Sequence, residues 1–333
     1  MELKPIYLDA LYGEIRHFYD NNKQKTIYIG GGTPSILSIG DFEEILSLFS
    51  FEDNAEITVE VNPESVNLDY LKGLKNAGVN RLSIGVQSFK NSILNEIGRL
   101  HTSEKAIDTI IDAKKAGFEN VSIDLMYGLP NQSLQDFEDD LNKAITFDIE
   151  HISLYGLKID KGCYFYKNLP QNIANDDVQA DMYLKALDVL GTKFKRYEIS
   201  NFAKSEKFEG KHNLNYWEAS MYYGFGVSAS GFFSEGRYTN PRSIEQYIKN
   251  PTAEKQFEKT NLLEEKIFLG LRTEKGINIC SLNEQFNIDF EKKYGNILKK
   301  FDNFFEKTNQ GYKLKTEGLL VSNVILSEFL EDC

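Results

Sequence analysis

The sequence predicts an α/β protein in which a partial, TIM-like (β/α) barrel is followed by a small helical, winged-helix-like domain. Strand-like and helix-like segments alternate about five times in the first half of the chain. Each strand-like segment has one apolar face and one mixed face, and this rhythm changes beyond residue 160. Together these observations indicate a curved parallel sheet with crossover helices and a polar interior.

The strand candidates are short runs rich in Ile, Val and Leu. They lie at residues 26–30, 56–61, 81–86, 121–127 and 151–157. Amphipathic helices separate them, and Gly78 and Gly117 stand where the C-caps of two of these helices belong. Strict alternation of strand and helix leaves two candidates, an open doubly wound sheet or a barrel.

Side-chain parity decides between these two folds. In the second strand the apolar residues alternate with Thr58, Glu60 and Asn62, and the third to fifth strands repeat this alternation. A doubly wound sheet carries helices on both faces and is therefore apolar on both. A mixed face favours a barrel whose interior surrounds a polar ligand.

The remaining elements predict three regions. These are a partial barrel, an aromatic-rich extension that completes one side of the barrel, and a C-terminal domain, at residues 1–160, 161–250 and 251–333. The first recognisable element is a helix with apolar residues from Ile6 to Phe18, so we expect the leading strand of the barrel to be missing. A further helix is predicted near 177–190, and residues 311–318 resemble the strand-and-helix edge of a winged helix.

Composition and charge indicate which kinds of partner the protein can have and in which cellular compartment it is expected. The formal net charge of -12 argues against nucleic acid as the main ligand, because such binding depends on clustered Lys and Arg. The sequence has neither a long apolar run nor a signal peptide at its start, so a cytoplasmic protein is expected. Cys163, Cys280 and Cys333 are widely spaced and odd in number, which is typical of reduced thiols.

A glycine-rich turn directly follows the first strand, where residues 30–35 read Gly-Gly-Gly-Thr-Pro-Ser. Glycines in such a turn let backbone N–H groups approach a carboxylate or a phosphate. The alternative is a flexible turn without function, but the position at the carboxyl end of a strand favours a ligand site. Arg99 could supply a countercharge nearby, although a single arginine is more often a solvated surface group.

Two carboxylates lie within otherwise apolar strands. An unpaired buried charge is costly, so Glu60 and Asp124 each need a partner. Each could form a salt bridge, for example with Arg81, or lie at an exposed strand end. A shared polar site is the better account, because Gln87 and Tyr155 have the same inward parity on other strands.

Two later segments concentrate aromatic and hydrogen-bonding groups. Residues 197–203 read Tyr-Glu-Ile-Ser-Asn-Phe-Ala, and residues 212–217 read His-Asn-Leu-Asn-Tyr-Trp. Such segments suit a planar ligand with an apolar body. A packed loop in which His212 and Trp217 fill the core is the preferred interpretation, because a lone histidine defines neither a heme site nor a metal site.

Six segments in a fixed order carry a family resemblance across nearly the whole chain. They are residues 30–35, 60–63, 81–89, 123–130, 197–203 and 212–217. In this order they resemble the HemW heme chaperones and oxygen-independent coproporphyrinogen III oxidases, which are radical S-adenosylmethionine (SAM) proteins. The resemblance implies a partial barrel of the radical SAM type, here lacking its first strand, and the small C-terminal domain of that family.

The resemblance also implies a cofactor site. Gly31, Gly32 and Thr33 would contact the methionine end of SAM, and further inward side chains would complete the pocket. Those side chains are Glu60, Gln87, Arg99, Asp124 and Tyr155. In the family a [4Fe–4S] cluster binds the amino and carboxylate groups of SAM and cleaves it reductively to a 5′-deoxyadenosyl radical.

The sequence departs from the family pattern at two places. Relatives carry a Cys-x3-Cys-x2-Cys loop before the first helix, whose thiolates bind three irons and leave the fourth iron for SAM. The sequence begins at that helix, so we expect the cluster ligands to have been lost by truncation and the chain as given to be inactive. Ser230 stands where many relatives have a histidine.

The implied function is that of a heme chaperone, which binds heme and delivers it to membrane respiratory proteins, with SAM and the cluster supporting dimerisation or transfer. A peripheral membrane location and a homodimer are part of this expectation. Oxidative decarboxylation of coproporphyrinogen III is the alternative enzyme activity. A cluster-free protein that binds heme or SAM without catalysis is the third hypothesis, and a missing first strand would leave residues 26–30 as an exposed sheet edge.

Overall fold

The structure is a computed structural model that describes residues 3–330. The chain divides into two compact units. The first, called the barrel unit below, comprises Thr26–Glu43 and Ala55–Gly210. The second unit comprises the chain up to Lys25, Glu44–Asn54, and the chain from Lys211 onward. The boundaries predicted near residues 160 and 250 stay predictions.

The strands of the described chain are numbered in order. They are β1 Gln24–Ile29, β2 Phe51–Val61, β3 Arg81–Gln87, β4 Asn120–Tyr127, β5 His151–Gly156, β6 Lys195–Arg196, β7 Asn201–Ala203, β8 Ser230–Phe233, β9 Gly236–Thr239, β10 Ile277–Asn278, β11 Phe305–Lys307 and β12 Gly311–Leu314.

The α-helices are numbered in the same way. They are α1 Leu3–Phe18, α2 Ile39–Ser47, α3 Leu68–Asn76, α4 Asn91–Glu96, α5 Ser103–Lys115, α6 Leu134–Ala144, α7 Tyr164–Lys167, α8 Asp176–Leu190, α9 Lys211–Trp217, α10 Ile244–Lys249, α11 Leu262–Gly270, α12 Ile279–Phe286, α13 Phe290–Lys300, α14 Thr316–Leu320 and α15 Ser322–Ser327.

A seven-stranded sheet forms the centre of the barrel unit, with the strand order β1-β2-β3-β4-β5-β7-β6 among the described residues. Strands β2 to β5 are parallel, whereas β7 is antiparallel to β5 and β6 is antiparallel to β7. All five predicted strands are present in this sheet. The parallel order of β2 to β5 confirms the predicted strand–helix alternation.

The apolar face of each parallel strand is fully covered. Val59, Leu82, Ile84, Ile123 and Ile152 are each 0% exposed. These side chains alternate along their strands with the polar set identified from the sequence, so the two faces separate as parity predicts. The polar face is therefore left for the interior of the curved sheet.

Local sequence sets the ends of the helices that cover this sheet. Gly78 and Gly117 adopt φ values of +102° and +89° directly after the C-caps of α3 and α5, a conformation that favours glycine. At the start of α6, Ser133 and Asp136 form a reciprocal capping box. These signals confirm the predicted C-caps and fix where the loops at the strand ends begin.

The second unit contains a small three-stranded antiparallel sheet of order β10-β12-β11. Helices α11 to α15 contribute to the apolar core of this region, which is centred on Ile267, Leu271, Phe290, Ile325 and Leu326. Strand β12 is followed at once by α14, as expected for the strand-and-helix edge of a winged helix. Within residues 3–330, no helix is both long enough and apolar enough to cross a membrane.

Candidate functional site

The register of the parallel strands aligns the inward polar positions. Glu60 of β2 is paired with Ser83 of β3. One step further along the sheet, Asp124 of β4 is paired with Gly85 on one side and Ser153 on the other. Neighbouring strands in register place these side chains on the same face at similar depth. The polar residues of different strands therefore meet towards the carboxyl ends of the sheet.

Glu60 connects the second strand to the glycine-rich turn. Its carboxylate accepts hydrogen bonds from the Tyr28 hydroxyl at 2.8 Å and from the Gly31 backbone N–H at 3.2 Å. A Cβ atom on Gly30 would lie 2.9 Å from the carboxyl carbon of Glu60, so a larger residue there would displace a neighbouring side chain. At Gly31, φ is +113°. The turn is thus shaped around this carboxylate, while Gly32 faces open space.

A second group of contacts links three loops to β3. The Asn62 side-chain amide donates to the Thr33 hydroxyl at 3.2 Å. The Arg99 guanidinium donates to Asn62 Oδ1 and to the Gly85 carbonyl, both at 2.9 Å. A Cβ atom at Gly85 would lie 3.2 Å from both Arg99 Nη2 and Gln87 Nε2. Thr33, Asn62, Arg99 and Gln87 therefore converge above the backbone of Gly85.

Arg99 retains hydrogen-bonding capacity at this position. Its Nε atom is buried and has no hydrogen-bond partner within the described protein. A buried N–H without a partner is unfavourable unless a ligand or an ordered water satisfies it. The backbone-lined space at the glycines and this unused donor fit a small polar ligand that carries an anionic group.

Asp124 and Tyr155 extend the polar face across the fourth and fifth strands. The Asp124 carboxylate accepts hydrogen bonds from the Ser83 hydroxyl, at 3.0 Å, and from Ser153. Burial raises the pKa of Asp124 to about 6, and the negative charge of Glu60 contributes to the rise. Tyr155 is 43% exposed and marks the solvent-facing end of the polar face.

A buried network closes the opposite, amino-terminal end of the polar face. His151 Nδ1 lies 2.7 Å from Ser122 Oγ and 3.4 Å from Arg81 Nη2, and His151 Nε2 lies 2.9 Å from the Tyr197 hydroxyl. All four side chains are at most 5% exposed. Burial, together with the Arg81 charge, holds the pKa of His151 well below its usual range. We call these four residues the floor of the site.

The structure brings the predicted site residues together, with differences in detail. Glu60 contacts the glycine turn, Arg99 and Gln87 share the space above Gly85, and Asp124 lies on the adjacent strand. Arg81 forms no salt bridge with Glu60 or Asp124, and both carboxylates accept hydrogen bonds from other groups. The sequence did not single out Tyr28 or Asn62 as site residues. The same side-chain parity that identified Glu60 applies to Asn62, so this parity could have identified Asn62 as a site residue.

The aromatic segment at 212–217 forms helix α9, in the second unit. No residue of α9 is buried, so the prediction that His212 and Trp217 fill a core is wrong. His212 Nε2 lies 2.9 Å from the Tyr216 hydroxyl, and Tyr216 stacks edge-on against Tyr222 at 4.6 Å. Helix α9 is seven residues long, and His212 and Trp217 are both partly exposed.

Metal-binding groups are not assembled in the part of the chain that is described. Within residues 3–330, no three His, Cys, Asp or Glu side chains are grouped to hold a metal. Cys163 and Cys280 are exposed, and Cys333 lies outside the described residues. The described residues thus do not fit the three-thiolate ligation of the [4Fe–4S] cluster that the resemblance implies. Ser230, at the second departure, is exposed and lies 2.8 Å from Thr239 Oγ1 through its hydroxyl.

Comparison with known proteins finds two domain families that match parts of this chain, and relatives that it matches over most of their length. Residues 4–144 match the Radical SAM superfamily, and residues 257–321 match the HemN C-terminal domain. The heme chaperone HemW of Lactococcus lactis is 35% identical over 98% of this chain and 89% of its own length. HemW of Bacillus subtilis is 35% identical over 97% of this chain and 91% of its own length.

A solved structure shares the fold. Coproporphyrinogen III oxidase (HemN) from Escherichia coli superposes with a TM-score of 0.84 and 21% identity, over 99% of this chain and 84% of that chain. At this identity the likeness establishes the fold, which confirms the predicted partial barrel of the radical SAM type with a small C-terminal domain. Because the HemW relatives match over almost their whole length, the chain belongs to the HemW heme-chaperone family of radical SAM proteins.

Proposed function

We propose that the barrel unit binds SAM and that the protein is a heme chaperone, which binds heme and delivers it to membrane respiratory heme proteins. The observation that carries the SAM part is the convergence of Glu60, Gln87, Arg99 and Asp124 beside a glycine turn at the carboxyl ends of parallel strands. The heme part is supported by the relatives, which are named heme chaperones.

The charges of SAM match this set of side chains. SAM carries an ammonium, a sulfonium and a carboxylate. Glu60 and Asp124 supply negative charge for the two cations, and Arg99 supplies a guanidinium with a buried, unused N–H for the carboxylate. The exposed backbone at Gly31 and Gly32 allows a ligand to approach closely.

The protein's own residues bind and orient the cofactor. When bound, SAM supplies a sulfonium-activated adenosyl group. Glu60 is fixed by Tyr28 and Gly31, and Arg99 is fixed by Asn62 and the Gly85 carbonyl, so both charges are held in place before a ligand arrives. Such preorganisation lowers the entropic cost of binding.

We place the heme contact at α9. Tyr216 and Met221 are 38% and 65% exposed, and His212 and Trp217 are partly exposed beside them in the chain. Exposed aromatic and thioether groups favour the flat apolar body of a porphyrin, and imidazole is a common ligand of heme iron. Heme is here the cargo, so its binding is expected to be reversible.

SAM binding is tested by isothermal titration calorimetry of SAM into the purified chain. We expect saturable binding that is weakened at least tenfold by Glu60→Gln and by Arg99→Ala, since each removes a charge-assisted contact. Glu235→Gln, which removes an exposed carboxylate of the second unit, is the matched control for Glu60→Gln. Unchanged affinity in both site variants would refute the site.

Heme binding is tested by following the Soret absorbance during titration with hemin. We expect His212→Ala to shift the Soret band and weaken binding, whereas His17→Ala, which removes an exposed histidine of the second unit, leaves the spectrum unchanged. Equal spectra for the wild type and His212→Ala would exclude α9 as the iron-binding element.

Further assays separate this proposal from the alternatives. Conversion of coproporphyrinogen III to a decarboxylated product by a cluster-loaded longer form would favour the oxidase activity. Binding of heme or SAM without either transfer or decarboxylation would favour a non-catalytic binding protein. Delivery is tested by measuring the transfer of radiolabelled heme to a respiratory heme protein embedded in vesicles. Light scattering tests whether the protein forms the proposed homodimer.

A further inference from the structure

Gln87 is held in a strained turn at the end of β3. Its φ is +67°, a region that side-chain-bearing residues rarely adopt. The Ser88 N–H donates to the Val86 carbonyl at 2.9 Å, so the hydrogen bond spans Gln87 alone, as in a γ-turn. With positive φ at its centre this is the rarer and more strained form of that turn. The pairing with β4 shifts register between Gly85 and Gln87.

The strained conformation determines where the Gln87 amide lies. A Cβ atom at Gly85 would be 3.2 Å from Gln87 Nε2, so the side chain folds back over the backbone of β3 towards Arg99. In a regular strand the side chains of residues 85 and 87 would stand side by side instead. The turn therefore brings this amide into the group of polar side chains above Gly85.

Asp140 of α6 holds the residues that directly follow Gln87. Its carboxylate accepts a hydrogen bond from the Ser88 hydroxyl at 2.7 Å and another from the Phe89 backbone N–H at 2.7 Å. Asp140 is 3% exposed and Ser88 is 0% exposed. A carboxylate in this position is costly to bury unless its hydrogen bonds compensate, and both donors here belong to the loop after the turn.

His101 holds the other side of the turn. Its Nε2 atom lies 3.2 Å from the Val86 carbonyl, and its Nδ1 atom lies 3.2 Å from the Glu64 carboxylate. The residues before and after Gln87 are thus both fixed by buried side chains. A strained backbone conformation persists where contacts from the surrounding structure hold it in place, and such strain is concentrated at functional sites.

The charge state of Asp140 supports its role as an acceptor. Burial raises the pKa of Asp140 to about 6, the hydrogen bonds from Ser88 and Phe89 oppose this rise, and the nearby charges of Asp136 and Asp139 add to it. The carboxyl group is therefore mainly ionised at pH 7 and above. In that form it can only accept hydrogen bonds, which matches the two donors that it meets.

We propose that Asp140, which lies outside the cofactor site, is a positioning residue that holds the strained turn and thereby aims Gln87 at SAM. The inference rests on the proposed SAM site, because Gln87 is one of the side chains assigned to that site. It adds that affinity for the cofactor depends on a carboxylate of α6 that does not touch it.

A double-mutant cycle tests the proposal by calorimetric titration with SAM. We expect Gln87→Ala and Asp140→Ala each to weaken binding about tenfold, and the double variant to bind no more weakly than Gln87→Ala alone, because Asp140 acts only through Gln87. Asp140→Asn should restore most of the affinity, since its amide can accept from Phe89 and donate to the Ser88 hydroxyl. Asp139→Asn, an exposed carboxylate on the same helix, is the control and should bind normally.

Additive losses in the double variant, or normal binding by Asp140→Ala, would overturn the positioning role. A crystal structure of Asp140→Ala gives a readout that does not depend on SAM. We expect a negative φ at residue 87 and a displaced amide, with Asp140→Asn retaining the turn. If the wild type does not bind SAM, the proposed function fails, and an unchanged turn in the Asp140→Ala crystal would overturn the inference separately.

Discussion

At the scale of single residues, the site depends on close packing around a few backbone positions. Gly30 illustrates this, because a methyl group there would lie 2.8 Å from Tyr28 Cε1 and 2.9 Å from the Glu60 carboxyl carbon. The sequence identified the glycine-rich turn from its place after a strand. It could not tell which of the three glycines is sterically required, because that depends on a residue 30 positions away.

We expect Gly30→Ala to destabilise the protein by about 1 to 3 kcal/mol, since the added methyl group displaces Tyr28 or Glu60. Gly32→Ala is the matched control, because its Cβ would meet open space, and a change within about 0.5 kcal/mol is expected. Urea unfolding monitored by circular dichroism measures both. Equal destabilisation by the two variants would contradict the steric argument.

Glu198 is a second residue whose surroundings matter, because they change the pKa of its carboxyl group. It is 0% exposed, and burial raises its pKa from 4.5 to about 7, against hydrogen bonds from Ser200 and Asn201. Between these two pKa values the folded protein binds a proton that the unfolded chain has released. The contribution of Glu198 to stability therefore falls as the pH rises from about 4.5 through about 7.

We expect Glu198→Gln to remove this pH dependence and to raise stability at pH 8 by up to roughly 3 kcal/mol, because the amide stays neutral. Below about pH 4.5 the titration of Glu198 should cause little difference in stability between the wild type and the variant. Urea unfolding of the wild type and the variant across this pH range is the measurement. Parallel stability profiles would show that Glu198 titrates near its ordinary pKa in the folded protein.

At the scale of elements, the long periodic segments were predictable and the short ones were not. Strands β3 to β5 and helix α8 lie within one residue of their predicted bounds, because alternation and helical spacing are strong signals over such lengths. Strand β2 begins five residues before its predicted start. Strands β6 and β7 are two and three residues long, too short to show a period. Helix α1 was predicted from apolar spacing, yet Ile6 is 50% exposed and Glu14 is 0% exposed.

Glu14 ties α1 to other elements of the second unit. Its carboxylate accepts from Gly226 N at 2.8 Å, Asn240 Nδ2 at 2.7 Å, the Tyr247 hydroxyl at 2.6 Å and Lys255 Nζ at 2.5 Å. A buried charge with this many donors is stable only as part of the complete set. No local sequence pattern reveals such a set, because its members lie more than 200 residues from Glu14 along the chain.

We expect Glu14→Ala to lower the free energy of unfolding by about 3 to 5 kcal/mol, because it leaves Lys255 buried without its carboxylate. In the double variant Glu14→Leu/Lys255→Met the loss should be smaller than the sum of the single losses, because neither charge is then left alone. Urea unfolding of the three variants tests this. Additive losses would mean that the two residues stabilise the unit independently.

At the scale of the whole molecule, the order of the six segments along the chain indicated the family better than any one segment did. Six segments in a fixed order predicted the family and fold, which the HemW relatives and the HemN structure confirm. The sequence did not predict that the chain folds into units in which distant segments join, such as α1 with the chain from Lys211 onward. Such joining depends on tertiary packing, which local patterns do not encode.

Strand β1 is at the edge of the seven-stranded sheet of the described chain, and its residues are mostly partly exposed. An edge strand presents unpaired backbone groups to other chains. We expect the protein to self-associate as its concentration rises, measured by size-exclusion chromatography with light scattering. A stable monomer at every concentration would show that this edge is protected.

The floor of Arg81, Ser122, His151 and Tyr197 has a consequence for access to the polar face. These four side chains are at most 5% exposed, whereas Tyr155 is 43% exposed. A small molecule bound on the polar face is therefore expected to exchange with solvent at the end marked by Tyr155 rather than through the floor.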